Sequence, residues 1–240
     1  MNLEIKNRHG ETLDYTFHEG DSKSKDLLVI GHGVTGNKDR PFIVTLSTAL
    51  PAAGFNVLRF SFSGNGASGG RFADSTISKE VEDLGSLLDA LAGWNITYAG
   101  HSMGGAVGVL RAAQDTRIHR LISLAGMVHT RDFSQREFGT VKPGLGFMWD
   151  DEACPLSQAY MDDLSRIGDV LASAPRIKAP WLLIHGTEDD VVPIKDSRDI
   201  LTRANKATTQ LVELPGSNHI FTGEPTIEIV KVVADWLLRH

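Results

Sequence analysis

Residues 96–107 read ITYAGHSMGGAV. The apolar run ITYAG leads into His101-Ser102-Met103. A helical pattern leads out, with Met103, Ala106, Val107 and Leu110 on one face. Gly100 and Gly104 stand two residues either side of Ser102, and Gly105 follows. A strand that turns at once into a helix strains the residue at the join, and side chains beside it would collide. Glycines remove those collisions. The stretch therefore predicts a strand–turn–helix elbow. It would lift the Ser102 hydroxyl above a sheet, beside a helix N-terminus that favours negative charge. A glycine-eased strand–helix contact without chemistry uses the same residues, so the partners of Ser102 decide between the readings.

Working outward, five more apolar runs recur: LLVIG (27–31), NVLRF (56–60), LISLA (121–125), WLLIH (181–185) and QLVEL (210–214). Most are apolar throughout, as strands buried on both faces of a parallel sheet are. Helical periods lie between them, with Val81, Leu84, Leu88 and Leu91 on one face, and later Ile227, Val230, Ala234 and Leu237. The alternation predicts an α/β fold with a doubly wound sheet. Segments 3–7 and 12–17 read as an edge hairpin around RHGE. Residues 127–179 exceed an ordinary connection and hold Phe133, Phe138, Phe147, Met148, Trp149, Tyr160 and Met161. They read as an insertion folding over the carboxyl edge of the sheet. The whole chain, 1–240, reads as one domain.

The bulk numbers set bounds. Of 240 residues, 41% are hydrophobic and 22% charged, and the net charge is −6. With basic residues scattered, nucleic acid is not an expected partner. No apolar run reaches membrane-spanning length, and MNLEIKNRHGE lacks the apolar core of a secretory signal. The lone Cys154 cannot pair internally, which makes a cytoplasmic location the expectation.

A serine hydroxyl needs a base to take its proton, and the base needs a carboxylate to orient it. In the chain order Ser, acid, His, the acid is Asp189 or its neighbour Asp190, in HGTEDDVVP after the WLLIH strand. The base is His219, in SNHIF after the QLVEL strand. An oxyanion needs N–H donors. Met103 follows the serine, and Val34 follows His32-Gly33 at the end of LLVIGHG. Residues 64–69, GNGASG, match a dinucleotide fingerprint, but GRFADSTISKE intervenes before the next helical period and the next strand ends without an acid. No cofactor is implied, and no H-x-x-x-H pair suggests a metal.

Taken together, HGVTGNK, GHSMGG, HGTEDDVVP and GSNHIF resemble the α/β-hydrolase fold superfamily. Within it the chain is similar to small intracellular serine esterases of cinnamoyl/feruloyl-esterase and monoacylglycerol-lipase type. The resemblance implies a mostly parallel eight-stranded sheet with an antiparallel second strand, and a cap after the sixth strand, here 127–179. It places the acid on Asp189, the base on His219 and the oxyanion donors on Val34 and Met103. Where relatives commonly carry a charged D-x-R-G-x-G loop, this chain has SFSGNG, with Ser61 and Ser63. Val34 stands where an aromatic is common. The expected activity is hydrolysis of small to medium carboxylic esters through an acyl-enzyme. Thioester, amide or carbon–carbon hydrolysis by the same triad is an alternative, as is a non-catalytic hydrolase-like binding protein.

Overall fold

The apolar runs pair into one sheet in the computed structural model, which describes residues 3–240. The strands are β1 (Tyr15–His18), β2 (Asp26–Gly31), β3 (Asn56–Phe60), β4 (Asn95–His101), β5 (Ile118–Leu124), β6 (Trp181–Gly186) and β7 (Thr209–Leu214). Their spatial order is β1-β3-β2-β4-β5-β6-β7, parallel except for β1, which runs antiparallel to β3. The helices are α1 (Pro41–Ala49), α2 (Ile77–Ala90), α3 (Met103–Ala112), α4 (Thr130–Phe138), α5 (Gln158–Ile167), α6 (Lys195–Arg203) and α7 (Glu224–Leu237).

Both faces of the sheet are covered, and successive residues feed opposite cores. Val29, Leu58, Tyr98, Leu121 and Leu183 join the apolar residues of α2 and α3 on one side. Leu28, Ile30, Val57, Ala99, Ile122 and Ile184 join those of α1 and α7 on the other. This two-sided burial is why the strand sequences read as unbroken apolar runs. In α7 the buried residues are Ile229, Val233, Trp236 and Leu237. The face expected from Ile227 and Val230 is rotated, because Trp236 takes the deep position and Ile227 stays 70% exposed.

The sheet has seven strands among the described residues rather than eight. The edge hairpin is reduced to an isolated bridge between Lys6 and Thr12. The Asn7 side chain accounts for this. Its Oδ1 accepts the His9 and Glu11 N–H groups at 3.0 Å each, and its Nδ2 donates to Asp83 Oδ1 at 2.8 Å. A local side-chain turn thus competes with the ladder. The antiparallel strand is therefore first in the sheet, and the insertion follows β5, the fifth strand.

Between β5 and β6 the chain forms α4, α5 and short turns. Asp163 on α5 accepts the Ser78 N–H at 2.9 Å and the Ser78 hydroxyl at 2.7 Å, which ties the segment to the start of α2. Phe133, Phe138, Met148, Tyr160 and Met161 are buried in the core that α2 and α3 share. No helix among the described residues is long and apolar enough to cross a membrane.

Candidate active site

Ser102 sits at the join of β4 and α3 with φ 53° and ψ −118°. Backbone strain of this kind costs about 1–3 kcal/mol and persists only where the surroundings enforce it. Here the Ser102 N–H donates to Leu124 O at 3.0 Å, and the Ser102 carbonyl accepts from Gly105 and Met127 N–H at 2.9 Å each. The glycines admit the close approach. A Cβ on Gly100 would lie 2.1 Å from Gly104 O, and one on Gly104 would lie 2.5 Å from His32 O. The second figure also shows that the start of α3 abuts the loop after β2.

That loop carries Gly33 and Val34. A Cβ on Gly33 would fall 3.3 Å from Ser102 Oγ, so its backbone runs directly alongside the hydroxyl. His32 braces the loop. Its Nδ1–H donates to Gly33 O at 2.8 Å and its Nε2 accepts from Phe62 N–H at 3.0 Å, which fits a neutral ring. Burial pushes the His32 pKa down to about 4, against an opposing Gly33 hydrogen bond. Met103 is the first residue of α3, where an N–H has no partner within the helix.

The acid and base loops follow β6 and β7. His219 Nδ1–H donates to Asp189 Oδ2 at 2.8 Å, and the Asp189 side chain is wholly buried. Asp190 is exposed, so the structure brings Asp189 and not its neighbour to the imidazole. Asp189 Oδ1 accepts the Val191 and Val192 N–H groups at 3.0 and 2.8 Å. Burial pushes the Asp189 carboxyl up, but hydrogen bonds from His185 and His219 outweigh it and hold the pKa well below the usual carboxylate range. The carboxylate stays charged and fixes the His219 tautomer, leaving Nε2 free to accept a proton.

His219 and Ser102 line one cavity of about 750 Å³, although no hydrogen bond joins them among the described residues. Such contacts commonly tighten only when substrate is bound. The cavity runs from Gly33, Val34 and Ser102 between the start of α1 (Phe42, Thr45) and the loop before α7 with the first turn of that helix (Ile220, Ile227). From the insertion only Trp149 contributes. Arg40 lines the cavity too, its guanidinium tied to Thr35 O at 2.8 Å.

Two histidines escaped the sequence reading as site residues. His101 Nε2–H donates to His219 O at 3.0 Å and its ring packs edge-on against Phe42. Burial, then the charge of His219, pushes the His101 pKa down to about 3, so it adds no competing charge. His185 lies behind Asp189, its Nε2 3.2 Å from Oδ2. Position in the quoted motifs was the available signal, since His101 precedes Ser102 and His185 opens HGTEDDVVP. At the start of the inserted segment, His129 bonds Asp199 at 2.8 Å and Arg131 bonds Ser165 O. The GNGASG stretch folds back on itself through Gly64 N–H to Gly69 O, and the next α-helix starts only at Ile77. Among the described residues, no three His, Cys, Asp or Glu side chains are grouped to hold a metal ion.

Comparison with known proteins adds relatives. A family model described as the alpha/beta hydrolase fold matches residues 26–153, and one described as serine aminopeptidase, S33, matches 153–226. A monoacylglycerol lipase of Mycolicibacterium smegmatis is 24% identical, covering 96% of this chain and 94% of its own. The mitochondrial palmitoyl-protein thioesterase ABHD10 of Bos taurus is 24% identical, covering 90% and 74%. The structure of Est1E from Butyrivibrio proteoclasticus with bound ferulic acid superposes with a TM-score of 0.83 at 24% identity, covering 99% of this chain and 98% of that one.

Proposed function

The chain belongs to the α/β-hydrolase fold family, and from that premise we propose that it is a serine hydrolase of carboxylic esters. One observation carries the reading. A serine held at φ 53° on an elbow shares a cavity with an imidazole whose other nitrogen is bonded to a buried carboxylate. In the mechanism Ser102 Oγ attacks the acyl carbon while His219 Nε2 takes the hydroxyl proton. The tetrahedral oxyanion accepts hydrogen bonds from the Val34 and Met103 N–H groups. Its collapse breaks the ester C–O bond, and His219 gives the proton to the departing alkoxide. Water then adds to the acyl-enzyme by the same route, releasing acid and free serine. Asp189 remains ionised throughout and stabilises the imidazolium.

The cavity volume falls in the ~300–1,000 Å³ range of small-molecule sites. Val34, Phe42, Trp149, Val191, Ile220 and Ile227 give it apolar walls, which suit an acyl chain or aromatic acyl group. Residues 127–179 serve in this reading as a cap that reaches the site through Trp149. Thioester cleavage is a second reading, favoured by the likeness to a palmitoyl-protein thioesterase. The free, buried Cys154 thiol is compatible with the cytoplasmic setting proposed here.

The test is labelling by a fluorophosphonate probe, together with a p-nitrophenyl ester chain-length series, a hydroxycinnamate ester and a matched thioester. Ser102→Ala is expected to abolish labelling and turnover. Labelling of the variant at the full rate would place the nucleophile elsewhere.

A further inference from the structure

Asp189 is approached by two imidazoles rather than one. We infer that His185 is a positioning residue for the acid, an assignment that rests on the triad reading above. His185 lies in β6 and its side chain is wholly buried. Its Nε2 lies 2.9 Å from Val192 O and 3.2 Å from Asp189 Oδ2. Both neighbours are acceptors only, so Nε2 carries a hydrogen. Its Nδ1 lies 2.7 Å from Ser197 Oγ on α6, and in the neutral ring the hydroxyl donates to it. One N–H thus faces both the catalytic carboxylate and the carbonyl three residues further on. It pins the 189–192 loop against the strand it left.

The arrangement has two consequences for His219. First, the two backbone donors on Asp189 Oδ1 and the His185 N–H beside Oδ2 together fix the carboxylate plane. The oxygen facing His219 Nδ1 then points in one direction, and through it the imidazole does too. Second, Asp189 divides its charge between two imidazoles, which limits its pull on the His219 proton. The other charged groups nearby are already engaged. Glu213, the register partner of His185 on the neighbouring strand β7, is held by Arg198 at 2.8 Å, and Asp196 accepts the Val128 and His129 N–H groups.

The test uses the full chain with a neutral p-nitrophenyl ester. His185→Leu keeps bulk and removes the donor, whereas His185→Gln can present an N–H near the Nε2 position. The Leu variant is expected to lose about ten- to a hundred-fold in kcat, the size of loss seen when the outer hydrogen-bond partner of a metal-ligating side chain is removed. KM should stay within twofold. The acid limb of kcat/KM should move to higher pH, because an Asp189 with one donor fewer holds the His219 proton more tightly. The Gln variant should recover most of kcat and return the limb toward the wild-type position. An unmoved limb, or equal losses in Leu and Gln, would reduce His185 to packing and overturn the inference. If the Leu variant does not fold, ¹⁵N-histidine spectra of the wild type decide. Hydrogen on Nε2 of His185 with bare Nδ1 supports the assignment, and the opposite tautomer overturns it. A wild type that turns over no ester and leaves Ser102 unlabelled would instead defeat the triad reading itself.

Discussion

Gly100→Ala probes the elbow directly. The added methyl carbon would sit 2.1 Å from Gly104 O, 2.4 Å from Gly104 C and 2.7 Å from Gly105 N. All three are backbone atoms, so no side chain can swing aside, and β4 and the first turn of α3 must separate by about an ångström. Overpacking costs about 1–3 kcal/mol where side chains can adjust; a clash with main chain belongs at the upper end. Alanine returns about 0.4–1 kcal/mol by restricting the unfolded chain. The net loss of about 2 kcal/mol corresponds to a melting temperature lower by about 4–8 °C for a chain of this size. The same displacement moves the Met103 N–H, and a misplacement near 1 Å at a reacting centre costs about a hundred-fold in rate. Thermal unfolding followed by circular dichroism gives the first quantity, and the rate of fluorophosphonate labelling gives the second. Gly93→Ala is the control. Gly93 has φ 92° with nothing within 4 Å of a Cβ, so it should lose about 1–2 kcal/mol to strain alone and label normally. If Gly100→Ala melts within about 2 °C of wild type and labels at the wild-type rate, the tight strand–helix contact does not explain the glycine.

Asp189→Asn should lower kcat on the order of 10⁴-fold, the size of loss seen when a triad imidazole is left in the wrong tautomer; the exposed Asp190→Asn should stay within twofold in the same ester assay. Glu80 is fully buried with neither carboxyl oxygen bonded among the described residues, and burial, then the charge of Asp83, raises its pKa despite Lys79. The folded state therefore keeps a proton that the unfolded chain releases above about 4.5, and stability contributed by this group falls as pH rises through that window, by about 1.4 kcal/mol per unit. Glu80→Gln should thus gain stability over wild type increasingly between pH 5 and 7 in urea unfolding, and a constant difference would contradict the buried proton. Burial and the neighbouring Asp151 push the Cys154 thiol up to about 11. Reaction with a disulfide reagent at pH 8 should be about a hundred-fold slower in the folded protein than in urea, and equal rates would contradict this.

How far the sequence foretold this molecule depends on the range of the interactions involved. The elbow was legible because its cause is local: Gly100 and Gly104 stand where a Cβ would meet backbone. The strands were legible because two buried faces leave unbroken apolar runs. Asp189 and His219 were legible by position after strands β6 and β7, but the choice of Asp189 over Asp190 needed the resemblance, since adjacent carboxylates look alike until the loop turns one inward. The missing strand was not legible, because Asn7 captures the turn through a side chain that composition does not distinguish. The stretch 127–179 was read as an insertion over the carboxyl edge of the sheet, but of its aromatics all except Phe147 and Trp149 went to the core. His185 and Ser197 stayed hidden because their meeting depends on how α6 returns to β6.

Much of the cavity wall comes from the start of α1 and the first turn of α7 with the loop before it, and one indole comes from the inserted segment. For anyone reshaping the enzyme, this separates two tasks that are usually entangled. Substitution at Trp149 alters the one wall that the inserted segment supplies, while a combinatorial library at Phe42, Thr45, Ile220, Thr226 and Ile227 alters the walls supplied by α1 and α7. The rest of residues 127–179 stays fixed, because its buried aromatics and the Met127 N–H on the Ser102 carbonyl belong to the body of the fold.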